Sequence, residues 1–342
     1  MSSFIRAACA LLVIALANFI SWSPNDVLVE HKPPLENTIR RKWFERKLEE
    51  VQPKIVLLGN SIMDEGVDEK AFSKLTATQT IKIWDGGSAS AWWYLALKNV
   101  IVEANHKPQI VLLFFRDHFL TDPTYRALGK HKQKIDALAE QSEPVLDRLA
   151  YLENMNAVTY FLFRYCPLYR QSDNIKNQLE TTVKDKVVSG LCGLEEGMAD
   201  HAIERLFEEK NLNKDLLTIR QLAAESTGSN KLYDFPQELG RSFLPYIIDM
   251  ARENNIQLVF VRMKRRRDVK PGAQPKALQK YIKDLKDYLA ENQVAFIDFT
   301  DDTRIKIEHY GSGDHLSRDG GKQLFTKMLV EETFPIIQVL DR

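Results

Sequence analysis

Two side chains some 250 positions apart have the types that nucleophilic chemistry at a carbonyl needs: Ser61 in "KIVLLGNSIMDEG" and His315 in "GDHLSRDGG". A serine hydroxyl is a poor nucleophile at neutral pH and reacts only with a base in hydrogen-bond reach. His315, on the loop after the last apolar run, can supply that base, and Asp314 beside it is a candidate to orient the ring. At the first turn of a helix the N–H groups around Ser61 would also face any negative charge forming nearby. The plainer alternative is that Ser61 only caps that helix, since serine is a preferred N-cap residue.

The surrounding elements decide whether the two residues can meet. Short β-branched runs stand at 55–58, 81–84, 110–115, 256–263 and 294–299. They are apolar at nearly every position rather than at alternate ones, which suits strands covered on both faces in a parallel sheet. Helical patterns at 91–105, 242–254, 275–292 and 320–332 fit between them. The sequence therefore predicts an α/β fold: a five-stranded parallel sheet with right-handed crossovers and helices on both faces. Reactive groups of such a sheet gather at the carboxyl ends of its strands, where Ser61 and His315 both fall. Residues 25–50 read as a linker with Pro33-Pro34 and a helix with Ile39, Trp43 and Leu48 on one face. The α/β domain is expected over 51–120 and 241–342. The interval 121–240 shows no convincing strand but several amphipathic stretches, and is expected to be a helical cap inserted at the carboxyl edge.

Composition excludes little else. Lys plus Arg and Asp plus Glu number 47 each, so the chain as a whole offers no field for nucleic acid. Residues 1–24 hold Arg6 and then an uncharged stretch from 7 to 24, close to the ~20 residues a helix needs to cross a bilayer. It reads as an uncleaved single-pass anchor or a cleaved signal segment. The cation before it, with Asp26 and Glu30 after it, puts the body outside the cytoplasm, and cleavage would make the protein secreted. Cys9 lies in that stretch, leaving Cys166 and Cys192 either as a pair that an oxidising compartment could join or as buried free thiols. No metal-ligand spacing of Cys or His appears.

The same residues carry a family resemblance. "VLLGNSIMDEGV" resembles the first motif of the SGNH (GDSL-type) serine esterases and acyltransferases, and "GDHLSRDGG" resembles their last. Between them, "WDGGSASAW" falls where those enzymes keep a glycine whose N–H binds the oxyanion, and "LLFFRDHF" falls where they carry Gly-x-Asn. The resemblance runs from residue 54 to about 329 and implies a three-layer α/β/α sandwich of SGNH/flavodoxin-like type. By position it makes Ser61 the nucleophile, His315 the base and Gly87, or Gly86, an oxyanion donor. Two departures stand out. Arg116 is near the place of the asparagine, either to stabilise the oxyanion with charge or to pair with Asp117. The family's acid lies three residues before the histidine, where this chain has Ser312; Asp314, Asp301, Asp302 or Glu308 could orient the ring, or the site could run as a dyad. The resemblance further implies an extracytoplasmic esterase or O-acyltransferase acting on acyl esters, small or borne by a cell-envelope or exported polysaccharide. It implies neither metal nor cofactor, and a multi-pass membrane acyltransferase as a possible partner.

Other features have weaker readings. "MKRRRD" at 263–268 could attract an anionic polymer or simply be a solvated loop, and Trp92, Trp93 and Tyr94 could stack on sugar rings or fill the core. His118 near Asp117 could bind a metal but lacks a third ligand. Two rival classes remain: an envelope protein that keeps the fold but only binds, and a nucleotide-binding protein, which is disfavoured because no P-loop lysine follows Gly59-Asn60-Ser61.

Overall fold

A computed structural model describes residues 35–128, 130–153, 233–270, 272–311, 313–317 and 320–339. The expected strands all form, as β1 (Ile55–Gly59), β2 (Thr80–Trp84), β3 (Ile110–Phe115), β4 (Gln257–Arg262) and β5 (Ala295–Asp298). They make one parallel sheet in the order β2-β1-β3-β4-β5. Every residue of β1 and β3 is buried, as unbroken apolar strands in a sheet covered on both faces must be. The order reverses direction at β1, so the crevice outside the carboxyl ends of β1 and β3 is the topological switch point, where such sheets bind ligands.

The helices that frame this edge and cover the sheet are α1 (Leu35–Val51), α2 (Ser61–Gly66), α3 (Glu69–Thr76), α4 (Ser90–Ala96), α5 (Leu244–Glu253), α6 (Lys276–Glu291) and α7 (Gly321–Val339). On α1 Leu48 is buried as expected, but Phe44 is the inward residue in place of Trp43, which is 42% exposed. One residue is a 100° step on a helix, and Phe44 takes the inward place by packing edge-on against Trp92. The helix expected over 91–105 is in fact α4 followed by a wider π-helical turn, Leu97–Ile101. All seven α4 residues are buried, so Trp92, Trp93 and Tyr94 belong to the core and offer no face to a sugar.

The chain divides into two compact units. One comprises His31–Ala127, His131–Gln141 and Asn213–Arg342 and contains the sheet. The other comprises Met1–Glu30, Leu128–Lys130 and Ser142–Leu212; its described part includes a short helical turn at Pro144–Leu146 that continues as a π-helical turn, Asp147–Leu152. Of the interval read as a cap, residues 154–232 lie outside the described residues. So do the apolar segment 7–24, Cys9, Cys166 and Cys192, and Ser312. Among the described residues no helix is long and apolar enough to cross a membrane, and no group of His, Cys, Asp and Glu could hold a metal ion.

Candidate active site

The serine turn is built from β1 outward. Gly59 ends the strand because α2 folds straight back over it: a Cβ there would stand 2.9 Å from the Met63 Cβ and 3.2 Å from that of Phe114. The cap of α2 is Asn60, not Ser61, with the Asn60 side chain accepting from the Ile62 N–H at 3.0 Å. Ser61 is thereby left as the first helical residue, half-buried, with its hydroxyl uncommitted to capping. The far end of α2 is gripped by Lys82 of β2, whose ammonium donates to the Asp64 carbonyl at 2.7 Å, to its carboxylate at 3.1 Å, and to the Val67 carbonyl. A cation suits the carbonyls at a helix C-terminus. Burial lowers the Lys82 pKa, although Asp64 opposes that shift.

Asn60 has a second task. Its amide donates to the Ser88 carbonyl at 3.2 Å, while the Ser88 hydroxyl donates to the Gly59 carbonyl at 3.0 Å and accepts from the Trp93 indole at 3.1 Å. These bonds fasten the 86–88 turn to the serine turn. Gly87 has φ +75°, a left-handed conformation, and a Cβ there would meet the His131 ring at 2.9 Å and the Arg126 guanidinium at 3.2 Å. Among the described residues neither the Ser61 nor the Gly87 N–H has an acceptor, so both remain available to an oxygen. Asn60→Ala should cost about 1 kcal/mol of stability as a lost cap. If the tether to Ser88 sets the donor geometry, kcat should fall by about 10- to 100-fold, since misplacement near 1 Å has that effect. Steady-state kinetics beside a urea titration would separate the two, and an unchanged kcat would refute the positioning role.

His315 arrives from the other end of the chain and meets the serine: its Nε2 lies 3.0 Å from the Ser61 Oγ. With the ring proton on Nδ1, Nε2 is the acceptor. The loop that carries it is held on both sides of the ring. Leu316 is buried in the core beside Phe325 and Met63, and the His315 carbonyl accepts from the Gly311 N–H at 2.8 Å.

Asp314 does something other than orient the ring. One carboxylate oxygen takes the Arg266 backbone N–H at 3.0 Å; the other takes Arg265 Nε at 3.1 Å and the Arg116 guanidinium. The expectation that Asp314 completes a triad is therefore corrected: it is a loop clamp, because the ends of β3 and β4 bring two arginines onto its carboxylate. Arg116 is corrected with it, being committed to Asp314 rather than offered to an oxyanion, and lying over the Phe119 ring at 5.7 Å. Nor does Arg116 pair with Asp117. That carboxylate takes Arg265, and Arg267 at 2.8 Å, so the "MKRRRD" loop is an internal ion-pair network rather than a cationic patch awaiting a polymer. Burial alone would raise the Asp117 pKa, but the nearby Arg265, Arg267 and Arg116 outweigh it and hold it below the usual carboxylate range. Burial raises that of Asp268, against the opposing charge of Arg267.

Of the other acids proposed for the ring, Asp302 is bound to Arg304, and Asp301 and Glu308 are exposed. Among the described residues Glu65, unexpected from sequence, brings a carboxylate near the ring, with Oε1 3.6 Å from His315 Nε2. It stands four residues after Ser61 on α2, hence on the same helical face; that i, i+4 spacing was the available signal. It faces the nitrogen that receives the serine proton and so can stabilise the imidazolium. Because its side chain is 41% exposed, the effect is that of a surface pair, and Glu65→Gln should lower kcat by only about two- to fivefold. A larger loss in stopped or steady-state assays would mean that Glu65 handles the proton itself. His118 is buried and lies 3.9 Å from Asp122, not beside Asp117.

No family model and no curated protein matches the chain. Among solved structures, its neighbours include a GDSL-like lipase from Bacteroides thetaiotaomicron, 11% identical, with a TM-score of 0.40 over 87% of this chain and 98% of that one. Another is a protein from Bacteroides fragilis provisionally described as an acylhydrolase, 12% identical, with a TM-score of 0.40 over 86% of this chain and 95% of that one. At that level of likeness, what the site does has to be read from its own atoms.

Proposed function

We propose that the protein is a serine acyl-transfer enzyme, an ester hydrolase or O-acyltransferase, with Ser61 as nucleophile and His315 as general base. The observation that carries this reading is the 3.0 Å contact between the Ser61 hydroxyl and the His315 imidazole at the switch point of the sheet. Ser61 Oγ attacks the acyl carbonyl carbon as its proton passes to Nε2, and the carbonyl electron pair moves onto oxygen. The Ser61 and Gly87 N–H groups face that oxygen. Collapse expels the alcohol, which takes the proton from Nε2, and leaves an acyl-enzyme that water or a sugar hydroxyl clears by the reverse sequence.

The finer parts of the reading have other support. An extracytoplasmic, membrane-anchored body draws on the apolar segment 7–24 and the charges around it. A cell-envelope or exported polysaccharide as acyl carrier, and a multi-pass membrane acyltransferase as partner, rest on the resemblance of the two terminal motifs. The rival, a binder that has lost turnover, draws on Asp314 and Arg116 being tied to each other. The test is to incubate the full chain in detergent with a chromogenic acetyl ester and, separately, with a fluorophosphonate, locating any adduct by mass spectrometry. Ester turnover with a single adduct on Ser61 is expected; neither turnover nor adduct would return the binder.

A further inference from the structure

The sequence lacks the amide side chain expected after β3, and Arg116, which stands in its place, is occupied. A second arginine on the same loop is better placed. Arg126 holds φ +56°, a left-handed conformation that non-glycine residues adopt at a cost. The turn that imposes it is built by Asp122, whose carboxylate accepts from the Thr124 N–H and hydroxyl and from the Tyr125 N–H, at 3.1, 2.8 and 3.1 Å. The guanidinium lies over the Tyr125 ring at 5.1 Å, Tyr125 stacks on Phe119 at 3.9 Å, and Phe119 lies under Arg116. Of the two arginines at the ends of this stack, Arg116 is paired with Asp314, whereas Arg126 has no carboxylate partner among the described residues.

The unpaired end points at Gly87. Arg126 Nη1 is 3.2 Å from where a Gly87 Cβ would be, and a Cβ is about 2.5 Å from its own nitrogen, so Nη1 lies within about 5.7 Å of the Gly87 nitrogen. Two donors that each hold one oxygen at about 2.9 Å can be separated by up to about 5.8 Å. The Gly87 N–H and the Arg126 guanidinium can therefore bind the same oxygen atom.

We propose that Arg126 is a catalytic residue, the charged donor of the oxyanion hole, acting with the Gly87 N–H in place of the missing amide. This rests on Ser61 and His315 acting as nucleophile and base. When Ser61 Oγ bonds to the carbonyl carbon, the carbon–oxygen π pair becomes a full negative charge on oxygen. That oxygen then accepts from Gly87 and from Arg126; no proton is transferred to it, and both bonds relax when the carbonyl re-forms. A charge-assisted bond strengthens as the charge develops, so it lowers the barrier rather than the binding constant. The left-handed backbone and the ring stack hold the donor in place before the reaction, so no reorganisation is needed then.

The test compares wild type with Arg126→Met, Arg126→Lys and Arg126→Gly on a neutral acetyl ester and on an ester bearing a carboxylate, with fluorophosphonate labelling of Ser61 and thermal midpoints measured in parallel. For Arg126→Met, kcat should fall by about 10²- to 10³-fold on both esters with KM little changed, the loss typical of one oxyanion donor. Labelling should slow in step. Arg126→Lys should retain part of the rate, and added methylguanidinium should restore part of it to Arg126→Gly, which a merely structural role would not allow. A KM rise confined to the anionic ester would show that Arg126 binds substrate charge instead, and would overturn the proposal. So would wild-type labelling rates in Arg126→Met, or a rate loss that only tracks a fall in thermal midpoint without rescue by methylguanidinium. Failure of the wild type to form a Ser61 adduct would remove the reading of the site itself and this inference with it.

Discussion

Ser61→Ala should lose the fluorophosphonate adduct and lower kcat by about 10⁴-fold or more, and His315→Ala should lose nearly as much. Combining the two costs little beyond either alone, because nucleophile and base act as one unit and removing either disables both. The 3.0 Å contact makes this expectation sharp: the proton that leaves Oγ has one ring nitrogen in reach. Ser61 is the first residue of α2 and its neighbour Asn60 performs the capping, so Ser61→Ala removes one half-buried hydrogen bond and no cap, and should leave the stability in urea within about 1 kcal/mol of wild type. A Ser61→Ala protein that kept more than a hundredth of the ester turnover, or that unfolded, would show that the hydroxyl is structural.

What the sequence makes legible, and what it hides, depends on the physics of each part. The strands are readable because both faces of a parallel sheet are buried, which writes β1 and β3 as unbroken apolar runs. Ser61 is readable because it lies two residues beyond a strand end at the carboxyl edge, and His315 because it lies on the loop beyond the last strand, whatever the intervening chain does. The partners of Asp314 are not. Arg116 and Arg265 are 198 and 49 positions from it, and only the adjacency of β3 and β4 brings them together. Charged residues at strand ends carry no periodicity, so sequence offers Arg116, Asp117, Arg265 and Asp314 as separate candidates and cannot pair them. Aromatic residues mislead in the opposite way: Trp92 and Trp93 suit a sugar face and a core equally, and the packing that buries α4 on every side decides for the core. Asn60 is hidden for a simpler reason, since the serine next to it is as good a cap by residue type.

Arg265→Met should destabilise the fold by about 3–5 kcal/mol, the cost of breaking a buried ion pair from one side. Arg265 and Asp117 are each 5% exposed in their side chains, and Arg265 also bonds Asp314, so its loss leaves one carboxylate short of a partner in the interior and another at the histidine loop. Arg267 stays on Asp117 and Arg116 stays on Asp314, which favours the lower end of that range. Asp117→Asn combined with Arg265→Met should be less harmful than the sum of the single changes, because the side chain that Arg265 leaves behind at position 117 is then neutral; simple additivity in urea titrations would disprove the coupling. The pH dependence has a definite sign. The folded-state pKa of Asp117 is depressed, so its contribution is present above the unfolded carboxylate range, near pH 4, and is lost as the pH falls through the lower folded value. The stability gap between wild type and Arg265→Met should therefore be widest near pH 7 and narrow below about pH 4, where protonating the stranded carboxylate relieves it. Because Asp314 immediately precedes His315, Arg265→Met should also slow Ser61 labelling at temperatures where the variant is still folded, and unchanged labelling there would mean that the clamp does not position the base.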